Sequence, residues 1–182
     1  MWTLIAGRYA SNPTVIGTDL LNEPGCGTVG LDPYYALATA AIRAVNPHVS
    51  IYFEDYIAGI LAGGVSGVTR APDPNSVYTF HVYRPDWARA EQTIAAFASR
   101  GAQLGVPLWL GEFDAFSSNR LDKPPASGWK SMTRKLFAYL DAHKISGWCY
   151  WAYQGVGSVF LPDGRGVDAA LIRFLQSGFS AE

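Results

Sequence analysis

The stretch that decides the fold is Pro107-Leu108-Trp109-Leu110-Gly111-Glu112-Phe113. A short apolar run bounded by Pro and Gly predicts a strand, here Leu108–Leu110, that is buried on both faces. Glu112 follows this strand directly, at the position where parallel α/β folds place their catalytic groups. Taken alone, Glu112 is better interpreted as a residue that opens the next loop and caps a helix.

A second stretch repeats this design and favours the catalytic interpretation. Residues 15–24 read Val-Ile-Gly-Thr-Asp-Leu-Leu-Asn-Glu-Pro, which predicts a strand over Val15–Leu21 followed by Glu23. Two glutamates at the ends of two buried strands are the pair of carboxyl groups that a glycosidase needs.

The composition is that of a globular domain. The chain has 182 residues, of which 49% are hydrophobic and 16% are charged. We therefore expect a single domain over residues 1–182. The net charge is −1 and Lys and Arg do not cluster, which argues against a nucleic-acid partner. No apolar run approaches the roughly 20 residues of a membrane span. The first residues also lack the pattern of a signal peptide.

The chain contains only two cysteines, Cys26 and Cys149. Two cysteines cannot make a disulfide framework, so the alternatives are one bridge or two thiols. We expect two inert thiols.

Hydrophobic patterning predicts strands and helices that alternate along the chain. The predicted strands are 15–21, 49–53, 77–80, 108–110 and 147–151. The predicted helices are 2–10, 32–45 (with Asp32 as its cap), 85–101, 129–143 and 167–175, and loops are expected at 62–74, 117–127 and 155–166. Each interval between strands fits one βα unit, which predicts a parallel sheet covered by helices. A complete eight-fold barrel needs about 250 residues. We therefore predict an α/β fold that is a partial (β/α) TIM barrel, a half barrel of about five parallel strands.

Polar and aromatic residues follow each predicted strand. They are Asn22 and Glu23, Glu54 and Asp55, His81 and Tyr83, Glu112, and Trp151. The carboxyl ends of parallel strands lie on the same side of the sheet, so the loops that carry these residues should converge there.

Four of these motifs, in this order, resemble glycoside hydrolase family 5, the cellulase family, in the wider clan A. They are Asn22-Glu23-Pro24, His81-Val82-Tyr83, Gly111-Glu112-Phe113 and Trp148-Cys149-Tyr150-Trp151. Asn-Glu-Pro alone is a weak signal. Four motifs that each end a strand form a specific pattern, and the resemblance covers nearly the whole chain.

The resemblance implies a role for each matching residue. Glu23 matches the acid/base and Glu112 matches the nucleophile. Asn22 matches the residue that hydrogen-bonds the 2-hydroxyl of the sugar, and Trp151 matches the platform under the sugar. His81 and Tyr83 match the pair that orients the two carboxylates.

Other interpretations of the strand-end residues stay open. His81 could be a hydrogen-bonded core histidine, and Trp151 could be part of the core. Glu54 and Asp55 match no motif of the family, so we expect them in a solvated loop, with contact to sugar hydroxyls as the alternative.

The chain also departs from the family pattern. The family's first three strands carry an arginine and a further histidine beside the catalytic pair, and the segment before Val15 is not expected to supply these strands. The edges of strands 15–21 and 147–151 would then be unpaired, which invites association. We expect at least a homodimer that covers the open barrel faces with a second copy.

The resulting expectation is a retaining β-glycosidase of the cellulase type that cleaves β-1,4-glucan without a metal or organic cofactor. A mannanase or an endoglycoceramidase-like enzyme is the alternative within the family. A catalytically silent half barrel that binds sugar, or one that works only with a separate amino-terminal half, is the alternative outside it. Secretion is an expectation from the family alone.

Overall fold

The computed structural model describes residues 1–25, 30–56, 67–84, 86–114, 128–152, 159 and 166–179. The helices are α1 (Trp2–Arg8), α2 (Asp32–Arg43), α3 (Trp87–Leu104), α4 (Trp129–Ala142) and α5 (Ala169–Gln176), with a 3₁₀ turn at Ser177–Phe179. The strands are β1 (Gly17–Asp19), β2 (Ser50–Phe53), β3 (Ser76–Val82), β4 (Leu108–Phe113) and β5 (Trp148–Tyr150).

The strands form one five-stranded sheet in the order β1-β2-β3-β4-β5. The β1–β2, β2–β3 and β4–β5 pairs are parallel, and Thr18 of β1 lies opposite Ile51 of β2. Sequential strands that pair as neighbours, with helices between them, are the arrangement of a (β/α) barrel. The predicted fold class, a partial barrel of about five parallel strands, is confirmed.

The chain divides into two compact units, Met1–Phe80 with Ala96–Trp109, and His81–Ala95 with Leu110–Glu182. The prediction of a single domain over residues 1–182 stays a prediction.

An aromatic core holds the first unit together. Phe80 and Phe97 stack with their ring centroids 5.0 Å apart, and Phe53 packs on Tyr78 at 5.3 Å. These four side chains are almost completely buried, as is Tyr35 of α2. Each large ring removes much apolar surface from water, so this cluster fixes β2 and β3 against α2 and α3.

The second unit has an aromatic core of its own around Phe113. The ring of Phe113 meets the rings of Trp148 and Tyr150 edge-on at 5.4 and 5.3 Å. Phe137 of α4 stacks on Trp148 at 5.0 Å. This packing anchors β4 and β5 to α4.

The strand β4 is irregular, and the prediction that it is buried on both faces is wrong. Only Leu110 and Phe113 are buried in β4, whereas β3 is buried along its whole length. Leu110 lies opposite Trp148 and Phe113 lies opposite Tyr150, so three steps along β4 match two steps along β5. A bulge of this kind adds a residue to one strand and re-aims its side chains. Leu110 and Phe113 therefore share the buried side, and Gly111 and Glu112 occupy the bulge.

Most predicted elements are present, with shifted boundaries. β3 continues through His81 and Val82, and β4 continues through Glu112. His81 and Glu112 therefore lie inside strands rather than after them. Asp32 does not cap α2, because the cap position is Leu31. Instead, the Asp32 carboxylate accepts a hydrogen bond from the backbone N–H of Thr69 at 3.0 Å.

Several predictions fall partly or wholly outside the described residues. Loop 62–74 is irregular over its described part, 67–74, and loops 117–127 and 155–166 fall outside almost entirely. Cys26 also lies outside, and Cys149 is exposed and forms no disulfide with a described residue. Among the described helices, none combines the length and apolar character needed to cross a membrane.

Candidate active site

Glu112 is the centre of a polar cluster in the second unit. It lies in the β4 bulge, and its side chain retains 18% exposure. The bulge turns Glu112 away from the side on which Leu110 and Phe113 are buried. The result is a carboxylate at the carboxyl end of a strand, supported by a packed aromatic core beneath it.

Two residues, one at the end of β3 and one directly after it, contact the same oxygen of Glu112. The hydroxyl of Tyr83 donates a hydrogen bond to Oε2 of Glu112. The Nδ1 atom of His81 lies 3.5 Å from the same Oε2. Because both contacts converge on one oxygen, they restrict rotation of the carboxylate. The structure thus brings together His81, Tyr83 and Glu112, three of the residues named from the sequence.

His81 is buried in the strand, with 4% of its surface exposed, and its ring meets that of Tyr83 edge-on at 6.3 Å. The sequence left a core histidine as an alternative. His81 is indeed buried, and its Nδ1 also faces the carboxylate of Glu112. Burial and a role in orienting Glu112 are therefore compatible in this residue.

Trp151 comes directly after β5 and is 40% exposed, so the alternative of a core tryptophan is wrong. Its backbone N–H donates a hydrogen bond to the carbonyl oxygen of Phe113 at 2.7 Å. This bond ties the backbone of Trp151 to the residue that follows Glu112. An exposed indole held in this way can offer a ring face to a ligand.

The first unit carries Asn22 and Glu23, which are both exposed. They follow β1, whose exit is fixed by a hydrogen bond from the backbone N–H of Leu20 to the carbonyl of Tyr52 at 3.0 Å. The hydroxyl of Tyr34 donates to the carbonyl of Leu20 at 2.9 Å. Glu23 itself has a φ angle of 43°, in the left-handed region that residues other than glycine rarely adopt.

Glu54 and Asp55 are buried, so the prediction of a solvated loop is wrong. Their exposed fractions are 1% and 0%. Oε2 of Glu54 accepts a hydrogen bond from the backbone N–H of Glu23 at 3.0 Å. Oδ1 of Asp55 accepts from the backbone N–H groups of Tyr56 and Gly67, both at 2.7 Å. Buried carboxylates persist where such donors replace water, so these contacts explain the burial.

Cationic and phenolic groups complete the surroundings of this acidic pair. Nε of Arg100 lies 3.9 Å from Oδ2 of Asp55, and its guanidinium also donates to the carbonyl of Val68. The hydroxyl of Tyr35 donates to the carbonyl oxygen of Glu54 at 2.7 Å. Burial raises the pKa of Tyr35 well above its ordinary value, so the phenol stays a donor at all working pH values.

The sequence analysis named Glu54 but did not predict its contact with Glu23, and it did not name Tyr35 as a residue near the site. The one available signal was the pair of acidic residues directly after a strand. The hydrogen-bond partners of Glu54 are Glu23 and Tyr35, which lie 31 and 19 positions away in sequence, so no local pattern could have predicted these contacts.

Comparison with known proteins identifies the family. The family model described as cellulase (glycosyl hydrolase family 5) matches residues 1–157. An endoglucanase from Paenibacillus polymyxa is 36% identical over 105 residues, which cover 46% of this chain and 26% of the relative. An endoglycoceramidase from Cyanea nozakii is 27% identical over 179 residues, which cover 86% of this chain and 33% of the relative.

Solved structures agree with the sequence comparison. Endo-glycoceramidase II from Rhodococcus sp., solved as a lactosyl-enzyme intermediate, matches with a TM-score of 0.73 and 27% identity, covering 95% of this chain and 43% of that one. The chain thus spans less than half the length of these relatives. The match to the family model extends over most of the chain, and so the chain belongs to glycosyl hydrolase family 5, the cellulase family.

Proposed function

We propose that the protein is a retaining glycoside hydrolase of the endo-β-1,4-glucanase type. The observation that carries the proposal is the arrangement around Glu112, a strand-end carboxylate whose Oε2 is held by Tyr83 and faced by His81. A nucleophilic carboxylate must keep one orientation toward the sugar, and these two contacts supply that restraint. We assign Glu112 as the nucleophile and Glu23 as the acid/base.

The proposed reaction has two displacements. Glu112 attacks the anomeric carbon while the carboxylic acid of Glu23 protonates the departing glycosidic oxygen, which leaves a covalent glycosyl-enzyme ester. Glu23, now ionised, then removes a proton from water as the water attacks the anomeric carbon, and Glu112 departs as a carboxylate. The lactosyl-enzyme intermediate of the Rhodococcus enzyme supports a covalent intermediate for this chain.

The remaining matched residues bind the sugar in this proposal. Asn22 is exposed beside Glu23 and would hydrogen-bond the 2-hydroxyl of the sugar. Trp151 is exposed and would stack under the sugar ring at the cleavage point. We expect no requirement for a metal or organic cofactor, because two carboxyl groups suffice for the chemistry.

A second candidate is cleavage of a glycolipid rather than a glucan. It is favoured by similarity to endoglycoceramidases from Cyanea nozakii and from Rhodococcus sp., the latter also solved as a complex with the ganglioside GM3. Both candidates use the same two glutamates and differ in the group that leaves. Parallel assays on carboxymethyl-cellulose and on a lactosylceramide would distinguish them.

The test of the proposal is hydrolysis of an aryl β-cellobioside by the purified chain and by its Glu112→Gln and Glu23→Gln variants. Activity that both substitutions abolish supports the two-glutamate mechanism. The Glu91→Gln variant is the matched control, since Glu91 is exposed on α3. Activity no greater than that of the variants would favour the alternative of a silent half barrel, or of one that needs a separate amino-terminal half.

We also propose that the chain self-associates through an apolar surface near β1, at least as a homodimer. Among the described residues up to position 37, the exposed large apolar side chains are Met1, Leu4, Ile5, Tyr9, Ile16, Leu21, Tyr34 and Leu37. β1 is the first strand of the sheet and has no further neighbour in the part of the chain that the structure describes. A two-fold axis would cover one copy of this surface with the other. A monomer mass by light scattering at micromolar concentration would contradict this proposal.

A further inference from the structure

A buried glutamate, Glu54, lies directly behind the proposed acid/base, Glu23. Glu54 follows β2 and is 1% exposed, so it is in no position to contact a substrate. Its Oε2 accepts the hydrogen bond of the backbone N–H of Glu23 at 3.0 Å. This contact acts on the backbone of Glu23 and leaves the Glu23 side chain on the surface.

The backbone that Glu54 holds is strained. Glu23 has a φ of 43°, and in this left-handed conformation the Cβ atom of any residue other than glycine lies too close to the backbone, which makes the conformation unfavourable compared with the helical or extended regions. Strained residues persist where surrounding contacts over-determine them, and they concentrate at functional sites. The hydrogen bond from the Glu23 N–H to Glu54 is one such contact.

Two adjacent tyrosines in the first turn of α2 hydrogen-bond to the segments that carry Glu23 and Glu54. Tyr34 donates to the carbonyl of Leu20 at 2.9 Å, on the segment that leads to Glu23. Tyr35 donates to the carbonyl of Glu54 at 2.7 Å and is 1% exposed. The same helical turn thus holds the backbone directly after β1 and the backbone directly after β2. The position of Glu23 is therefore linked to α2 through Glu54 and Tyr35.

We infer that Glu54 is a positioning residue for the acid/base Glu23, acting through the Glu23 backbone and itself held by Tyr35. This inference rests on the proposed function, because it takes Glu23 as the group that protonates the leaving oxygen. A general acid works only within hydrogen-bond reach of the atom it protonates, so a displaced backbone weakens proton transfer more than substrate binding. Glu54 therefore sets the efficiency of the acid and has no direct part in the reaction.

The kinetic test compares leaving groups. The leaving group of 2,4-dinitrophenyl β-cellobioside is a stable phenolate that departs without being protonated. The leaving group of unsubstituted phenyl β-cellobioside needs a proton from the general acid. Glu54→Leu should lower kcat/KM for the phenyl substrate at least about tenfold more than for the dinitrophenyl substrate. Glu54→Gln retains an acceptor oxygen and should restore most of the loss, and the control Glu91→Leu should match the wild type. An equal loss on both substrates would overturn the inference.

A second readout does not depend on activity. The Glu23 amide should exchange its hydrogen slowly in the wild type and at least about tenfold faster in Glu54→Leu, as measured by NMR. Tyr35→Phe, which removes only one oxygen, should shift this exchange in the same direction and serves if Glu54→Leu does not fold. An unchanged Glu23 exchange rate would overturn the positioning role even if the enzyme is active. An inactive wild type with the expected exchange would overturn the proposed function alone.

Discussion

Replacing Tyr83 by Phe removes the hydroxyl that donates to Oε2 of Glu112 and leaves the aromatic ring in place. The ring packs edge-on against His81 at 6.3 Å, a contact that phenylalanine keeps. His81 also stays within 3.5 Å of the same oxygen. The substitution therefore removes this hydrogen bond to the proposed nucleophile and keeps the ring contact with His81.

The expected cost follows from the setting of that bond. Hydrogen bonds to charged groups contribute about 1.5–3 kcal/mol. The Glu112 side chain is 18% exposed, so water can partly replace the lost donor, and we take the lower part of this range. A loss of about 1.5–2 kcal/mol in transition-state stabilisation corresponds to a roughly 10- to 30-fold fall in kcat/KM.

The assay is steady-state hydrolysis of an aryl β-cellobioside, with thermal unfolding measured in parallel. Tyr9→Phe is the matched control, because Tyr9 is 42% exposed at the end of α1 and should tolerate the change. We expect the fall for Tyr83→Phe and wild-type kinetics for the control. A change of less than about twofold for Tyr83→Phe, in a protein of unchanged stability, would refute the argument that Tyr83 restrains the nucleophile.

Three further predictions concern stability, each measured by urea unfolding. Phe97→Ala should cost about 3–5 kcal/mol because the ring is fully buried. Gln92→Ala, at an exposed position of the same helix, should cost under about 0.5 kcal/mol, and similar losses for the two variants would contradict the assigned core. Hydrogen bonds from Arg43 hold the pKa of Asp73 below its ordinary value. The stability that this pair contributes is thus present above about pH 4 and is lost as pH falls through the lowered pKa. Asp73→Asn should therefore weaken the pH dependence of the free energy of unfolding at acid pH, and an unchanged pH dependence would contradict this role of Asp73. Asp168→Ala should cost about 0.5–2 kcal/mol, because the carboxylate accepts two amide hydrogen bonds at the start of α5; no loss would contradict this capping role.

The order of strands and helices could be predicted from the sequence because each element carries its own periodic pattern. The polar residues at the strand ends could also be named, since polar groups that follow apolar runs stand out locally. His81, Tyr83 and Glu112 come together as the motif order indicated. What supports these predictions is local chemistry combined with the rule that parallel strands end on one side of a sheet.

The extent and burial of β4 could not be predicted, because they depend on its pairing with β5. The bulge places Leu110 and Phe113 on the same side, although regular alternation would separate them. Gly111 is the only local hint, since glycine inside a strand often marks a bulge. The orientation of Glu112 is thus a property of two strands together.

Glu54 and Asp55 show a second limit of sequence interpretation. Two adjacent acidic residues suggest solvent, and only their partners show otherwise. Apart from the adjacent N–H of Tyr56, these partners are the N–H groups of Glu23 and Gly67 and the guanidinium of Arg100, which come from other segments of the chain. Burial of a carboxylate is decided by such donors, and a one-dimensional pattern does not contain them.

The central claim is that Glu112 is the nucleophile of a retaining hydrolase. The most direct measurement is incubation of the chain with 2,4-dinitrophenyl 2-deoxy-2-fluoro-β-cellobioside, followed by mass spectrometry of the intact protein and its peptides. The fluorine slows both displacements by destabilising their oxocarbenium-like transition states, and the dinitrophenolate leaving group keeps the first displacement fast, so the covalent intermediate should accumulate. We predict one fluorocellobiosyl group per chain, attached to Glu112 and absent in Glu112→Gln. No adduct, or an adduct on another residue, would contradict the account.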